Sequence, residues 1–388
     1  MRIHLNAHTG LVDASVSGSP AMVRDEQEHW PRVLHVSEVL PGGVGRYIDE
    51  LSRAQAADAG PGQVAVLGPE GQLDTMAPDP AVRYFGYRQA QRGVGGLASL
   101  ARALRRTVLE FRPDVVHLHS SFAGLVGRLI GTGVATVYTA HGWAIDPDRP
   151  ARFRPAMIAT ERALARRCDA VINISPHEMA FLGEMGFPAD RMRLVLTGLG
   201  NAAMRTSPAP VGGDGPLRLL FVGRLDPQKG FDLLWPELVE AAPGNLHVRV
   251  AGTAMKGGGG AGYRPLPNVE FLGWVDHAEV QRQLGWADAL IMPSRWEGMP
   301  LAALEAMRAG RAVLSSDRSA FRSIVEHGVS GLRLDIDRPG FLARALEGVT
   351  RADLVRMGAA GRARIECDFR HDRMVREIWD VYREVVAP

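Results

Sequence analysis

Two carboxylates separated by seven residues, Glu297 and Glu305, flank a Gly-Met-Pro-Leu turn in the stretch P-S-R-W-E-G-M-P-L-A-A-L-E-A-M-R-A-G, Pro293 to Gly310. The run A-A-L-E-A-M-R-A is strongly helix-forming. Pro300 suits a first helical turn, where its missing N–H has no intrahelical partner anyway. A helix is therefore expected from near Met299, with Glu297 in the loop before it and Glu305 more than a turn inside. Its N-terminus would leave the N–H groups of Gly298, Met299, Leu301 and Ala302 free, and with the helix dipole these form a seat for an anion or for hydroxyls. A carboxylate on each side of that seat suits a ligand with a diol at either side of a phosphate, the layout of a nucleotide sugar. The spacing alone also fits Glu297 as a helix cap and Glu305 as a solvated residue.

A second constellation, F-V-G-R-L-D-P-Q-K-G (Phe221 to Gly230), lies between a strand and a helix. The chain has two lysines, Lys229 and Lys256, among 45 basic residues, so a compact ammonium is placed where arginine is the habit. That choice fits a phosphate, although a surface lysine is the plain alternative. Arg224 and Lys229, in the loop after the strand, are expected to neutralise a diphosphate together with the helix N-terminus and without a metal.

Three further motifs carry less. P-G-G-V-G-R-Y (Pro41 to Tyr47) has part of a dinucleotide fingerprint but not its full spacing, so it reads as a loop that brings backbone close to a ligand. H-L-H-S-S (His117 to Ser121) and T-A-H-G-W (Thr139 to Trp143) put histidines at strand ends, where acid/base work and ordinary structure are both open. His117 and His119 alternate and are assigned to opposite faces of the strand, with His141 coming from the next one. The two D-x-D tripeptides, Asp146-Pro-Asp148 and Asp335-Ile-Asp337, fall in Pro-flanked turns and are assigned no metal. Cys168 and Cys367 are too few and too far apart for a disulfide scaffold, a zinc site or a thiol nucleophile, and read as buried or half-buried residues in a reducing compartment.

These residues must be held by something large. A chain of 388 residues exceeds one ordinary core, and short apolar runs alternate with helical stretches in the rhythm of parallel α/β sheets. Strands are expected at R-V-L-H-V, Q-V-A-V-L-G, D-V-V-H-L-H, A-T-V-Y-T-A-H and A-V-I-N-I-S. After a Pro/Gly-rich break the rhythm restarts with L-R-L-L-F-V-G, H-V-R-V-A-G, N-V-E-F-L-G, A-L-I-M-P-S and A-V-L-S-S-D. The expected organisation is an N-terminal extension (1–30), a first Rossmann-like domain (31–206), a linker (207–216), a second such domain (217–370) and a C-terminal helix (371–388) that packs back on the first. The helix carries Met374, Ile378, Val381, Tyr382 and Val385 on one stripe. Two such domains face each other across a cleft, with ligands at the strand ends.

A net charge of +2 gives no reason to expect nucleic acid as a partner, and the absence of an apolar leader or spanning segment fits a cytoplasmic protein. Arg102, Arg105, Arg106 and Arg112, and Arg162, Arg166 and Arg167, lie on expected helices of the first domain. They read as a solvated face, with peripheral contact to anionic lipid as the alternative.

Together these stretches resemble the retaining family 4 glycosyltransferases of the GT-B fold, from about Val33 to Ala387. The resemblance rests on E-G-M-P-L-A-A-L-E, R-L-D-P-Q-K-G, P-G-G-V-G, P-D-V-V-H-L-H and T-A-H-G in the family's order. It implies a nucleotide diphosphate sugar as co-substrate, no metal or other cofactor, and a glycan or polyprenyl-linked saccharide as acceptor. It implies that Arg224 and Lys229 hold the diphosphate, that Glu297 and His141 sit at the transferred sugar, and that Glu305 takes the ribose. Gly223, Gly298, Met299, Pro300, Leu301 and Val275 would complete the donor side, and Gly43, Gly45 and His119 the acceptor side. The chain departs from the family at T-G-L-G-N (Thr197 to Asn201), where N-G-[VI]-D is usual, which puts the hinge geometry in question. Competing expectations are a sugar-nucleotide epimerase or hydrolase on the same fold and a binding subunit without catalysis.

Overall fold

Short runs of β-branched and aliphatic residues build the framework. The computed structural model describes residues 30–89, 94–200, 215–241, 245–253, 263 and 265–387. In chain order the first half runs β1 (Val33–Ser37), α1 (Gly43–Ala59), β2 (Val64–Pro69), α2 (Glu70–Leu73), β3 (Val82–Tyr87), α3 (Val94–Phe111), β4 (Val115–His119), α4 (Ser121–Ile130), β5 (Ala135–Thr139), α5 (Arg154–Ala165), β6 (Ala170–Asn173), α6 (Pro176–Glu184) and β7 (Met192–Leu194). The second half runs β8 (Leu217–Val222), α7 (Phe231–Glu240), β9 (Leu246–Ala251), β10 (Val269–Gly273), α8 (His277–Trp286), β11 (Ala289–Met292), α9 (Leu301–Arg308), β12 (Ala312–Ser316), α10 (Ser319–Arg322), β13 (Gly331–Leu334), α11 (Phe341–Leu346), α12 (Arg351–Asp368) and α13 (His371–Val386).

The strands form two all-parallel sheets, ordered β3-β2-β1-β4-β5-β6-β7 and β10-β9-β8-β11-β12-β13. Every residue of β1, β4 and β11 is buried, as expected of parallel strands covered by helices on both faces. In the second sheet the two-residue period sorts Leu219, Val248, Ile291 and Leu314 to one core and Leu220, Leu290 and Val313 to the other. The strand order reverses between β1 and β4 and between β8 and β11, so each sheet opens a crevice at the C-terminal ends of those strands. The two Rossmann-like domains face each other across a cleft at these ends.

Helix α13 buries Met374, Val375, Ile378, Trp379, Val381 and Tyr382, while Val385 is only half-buried. It packs on the first sheet: the Tyr382 hydroxyl lies 2.6 Å from His117 Nδ1, and Trp379 Nε1 donates to Asp58 at 3.0 Å.

Three strands escape the sequence pattern. β3 carries Gly86 in its middle, and β7 and β13 are only three and four residues long. The expected linker lies largely, and residues 1–29 entirely, outside the described residues. Cys168 is buried, but Cys367 is exposed rather than half-buried. Among the described residues no helix is long and apolar enough to cross a membrane.

Candidate active site

The loop after β8 is shaped by its ends. Gly223 has φ 154° and Gly230 φ 70°, and a Cβ on Gly230 would meet the Pro293 carbonyl at 2.0 Å, so the loop closes directly on the strand-end segment that leads to Glu297. Asp226 organises its interior, accepting from the Lys229 N–H at 3.1 Å and pairing with Arg224 Nε at 2.9 Å. Lys229 Nζ then reaches Glu297 Oε1 at 2.6 Å, and the Ser294 hydroxyl donates to the same oxygen at 2.8 Å. Two sequence elements 68 residues apart thus meet in one charge pair.

Beyond Glu297 the chain turns into α9. Pro300 stands just before the helix rather than inside its first turn, and the helix begins at Leu301. The Leu301 N–H is not free, because it closes a tight turn onto the Met299 carbonyl at 3.0 Å. The N–H groups of Gly298, Met299 and Ala302 have no hydrogen-bond partner among the described residues, which leaves three donors at the helix mouth.

The opposite wall comes from the first sheet. Gly42 (φ 88°) precedes α1, and Gly43 lies close enough to Leu301 that a Cβ there would meet its side chain at 3.3 Å. His141 follows β5 with φ 55°, a left-handed conformation that a non-glycine residue rarely holds. Its Nε2 lies 2.9 Å from His119 Nδ1. Burial holds the His141 imidazole down to about 3, so the ring is neutral at physiological pH.

Between these walls is a cavity of about 660 Å³. Of the residues singled out from sequence, Arg224, Lys229, Glu297, His141, Gly298, Met299, Pro300, Leu301, Gly223, Val275 and Gly43 line it. Glu305, His119 and Gly45 do not. The Glu305 carboxylate is held by the Arg46 guanidinium from the other domain. His119 is fully buried behind His141. Gly45 is a packing glycine, where a Cβ would meet the Leu40 carbonyl at 1.5 Å.

The opposite-face assignment of His117 and His119 is wrong. Strand residues two apart share a face, and their rings lie side by side with centroids 4.0 Å apart and planes tilted by 35°. The D-x-D turns are occupied by structural bonds. Asp146 accepts from the Asp148 N–H at 2.8 Å and lies 3.1 Å from His177 Nε2, while Asp148 accepts from the Ser319 N–H at 2.9 Å. Asp335 and Asp337 pair with Arg338 and Arg318.

Sequence reasoning missed Arg46, and it placed base contacts near Gly273 to Val275 on the backbone without singling out the Trp274 side chain. Arg46 directly follows P-G-G-V-G, but its partner is on another domain. Trp274 directly follows β10 and is 77% exposed at the cavity rim, a cost in apolar exposure that marks it.

The chain belongs to the GT-B glycosyltransferases. A glycosyl transferase 4-like domain matches residues 42–198, and a domain of the glycosyl transferases group 1 matches residues 216–351. An uncharacterized 41.2 kDa protein in the cps region of Klebsiella pneumoniae is 24% identical over 90% of this chain and 99% of its own length. A UDP-Gal:alpha-D-GlcNAc-diphosphoundecaprenol alpha-1,3-galactosyltransferase of Escherichia coli is 26% identical over 75% of this chain and 79% of its own. Among solved structures, a sucrose-phosphate synthase of Thermosynechococcus elongatus superposes with TM-score 0.79 at 20% identity, over 91% of this chain and 98% of that one. Anabaena HepE in complex with UDP-glucose superposes with TM-score 0.76 at 18% identity, over 91% of this chain and 99% of that one. These likenesses show the fold.

Proposed function

We propose that the chain is a retaining, metal-independent hexosyltransferase. It moves a hexose from a UDP- or GDP-sugar to a hydroxyl of a glycan or lipid-linked saccharide in cell-surface polysaccharide biosynthesis. The observation that carries this reading is the convergence of the Lys229–Glu297 pair, Arg224 and the bare N–H groups at the mouth of α9 on one cavity.

In this reading Arg224, Lys229 and the helix mouth stabilise the departing diphosphate with protein charge and dipole in place of a metal ion. Glu297, fixed by Lys229 and Ser294, orients the transferred sugar. Glu305 takes the ribose once Arg46 is displaced, and Trp274 offers its indole face to the base. The acceptor hydroxyl enters past Gly43 and Tyr47 and attacks from the side the phosphate leaves, with the phosphate taking its proton. The named ligand of the Anabaena structure and the lipid-linked acceptor in the Escherichia coli relative's name support the ligand classes. A lipid-linked acceptor would bring the enzyme to the inner face of the cytoplasmic membrane, where the exposed Arg102, Arg105, Arg106 and Arg112 would meet anionic head groups.

The test is a panel of nucleotide sugars screened for thermal stabilisation, followed by turnover of the stabilising donor with and without EDTA and determination of the product anomer. Loss of activity in EDTA would refute metal independence, and an inverted anomer would refute retention. Donor consumed without an acceptor would indicate a hydrolase or epimerase, and binding without turnover a binding subunit.

A further inference from the structure

Behind His141 the first domain buries a line of imidazoles. Gln55 Oε1, on α1, lies 2.7 Å from His35 Nε2, His35 Nδ1 lies 3.0 Å from His119 Nε2, and His119 Nδ1 lies 2.9 Å from His141 Nε2. His35 and His119 are fully buried, while His141 lines the cavity. The far nitrogen of His141, Nδ1, has no hydrogen-bond partner among the described residues, and it is not among the buried unpaired atoms. Burial holds His35 down to about 4 and His119 well below its ordinary value, so each ring carries a single N–H.

A row of neutral imidazoles joined nitrogen to nitrogen has only two consistent patterns, because each ring donates once and accepts once. If Gln55 accepts, His35 donates from Nε2, His119 from Nε2 and His141 from Nε2, which leaves His141 Nδ1 with a bare lone pair. If Gln55 donates, every N–H moves to the other nitrogen and His141 Nδ1 becomes a donor. Gln55 presents its carbonyl to His35, and its amide nitrogen adjoins the Tyr382 hydroxyl without closing a well-formed bond. That hydroxyl lies 2.6 Å from His117 Nδ1, so a proton given to His117 leaves the Tyr382 oxygen as an acceptor facing the amide.

We propose that Gln55, His35 and His119 are positioning residues that select the tautomer of His141. They hold its Nδ1 unprotonated toward the cleft as a fixed acceptor for a hydroxyl hydrogen of the bound sugar. The proposal rests on the reading of the cleft as a sugar-donor site. Its physical advantage is rigidity: an acceptor whose tautomer is set from behind needs no rearrangement when the sugar arrives.

The experiment is long-range nitrogen–proton correlation spectroscopy on the full chain labelled with nitrogen-15 histidine, with His141→Gln identifying the His141 signal by its loss. The expected spectrum shows His141 with its proton on Nε2 and no titration between about pH 6 and 8. A proton on Nδ1, or a charged ring at neutral pH, overturns the proposal without any test of activity. Two variants then probe the origin of the preference. Gln55→Leu removes the acceptor and is expected to mix the two tautomers and to lower kcat roughly tenfold, with the donor KM within about twofold. Gln55→Glu keeps an acceptor and is expected to restore both the tautomer and kcat. A folded Gln55→Leu protein with an unchanged His141 spectrum overturns the role of Gln55. Failure of the wild-type protein to use any nucleotide sugar would instead overturn the hydroxyl-acceptor role, while the spectrum still decided the tautomer.

Discussion

Arg46 on α1 grips Glu305 on α9, so a single ion pair ties the first domain to the second across the mouth of the site. Arg46 Nε also holds Glu50 at 2.9 Å, and its Nη1 lies 3.3 Å from His277 Nδ1. The Glu305 side chain is only 6% exposed, so removing Arg46 strands a nearly buried carboxylate. Arg46→Ala is expected to cost about 1–3 kcal/mol in urea unfolding. It is also expected to enlarge the thermal stabilisation given by the nucleotide sugar, because the ribose then reaches Glu305 with nothing to displace. Equal nucleotide-induced Tm shifts in variant and wild type would count against Glu305 as the ribose ligand.

In the proposed reaction Lys229 acts on developing charge rather than on binding alone. Lys229→Ala is expected to lower kcat by about 10²–10³, the usual loss for an electrostatic donor at a leaving group, with a smaller change in KM. Steady-state kinetics on the stabilising donor make the comparison. Near-normal turnover in both Lys229→Ala and Arg224→Ala would rule out the leaving-group role.

Glu178 gives a pH signature separate from catalysis. It is buried at the start of α6, accepts from the Ile174 N–H at 2.9 Å, and is pushed up to about 7, chiefly by desolvation. Below the ordinary carboxyl pKa both folded and unfolded chains hold the proton, and its contribution to stability is complete. Between there and about 7 only the folded chain keeps the proton, so the contribution is lost as pH rises through that window. Glu178→Gln has no charge to bury. The stability difference between variant and wild type should therefore move in the variant's favour by on the order of 3 kcal/mol from about pH 4.5 to pH 8. Denaturant midpoints across that range check the slope, and a flat difference would contradict it.

Helix α13 is a structural tie. Trp379 and Tyr382 are almost fully buried although they lie at the far end of the chain from the sheet they cover. Trp379→Ala is expected to destabilise by about 3–5 kcal/mol, and Tyr382→Phe, which loses the hydroxyl that contacts His117 and adjoins the Gln55 amide, by about 1 kcal/mol. Thermal unfolding of the two variants should reproduce that order.

What sequence conveyed and what it hid divide along a physical line. Runs such as V-V-H-L-H and A-L-I-M announce buried parallel strands because their apolar content is continuous and local. Gly86 in β3 and the brevity of β7 and β13 leave no comparable signal. At the site, residue types at strand ends were legible, and most of them line the cavity. The pairings were not. Lys229 with Glu297, Arg46 with Glu305 and Gln55 with His35 each depend on how separate elements pack, and no local periodicity encodes that. His35 sat in view within R-V-L-H-V, but its place beside His117 comes from the register of β1 against β4.

At the floor of the cleft Gly142 of the first domain meets Gly298 of the second. A Cβ on Gly298 would stand 2.6 Å from the Gly142 Cα and 2.7 Å from the His141 carbonyl, and Gly142 itself has φ 108°. The two halves touch there as naked main chain, so that seam has no side chain through which substitution could adjust the fit. Under the proposed function, a change of sugar or base would therefore have to come at the rim, at positions such as Trp274 and Val275, where side chains face the cavity.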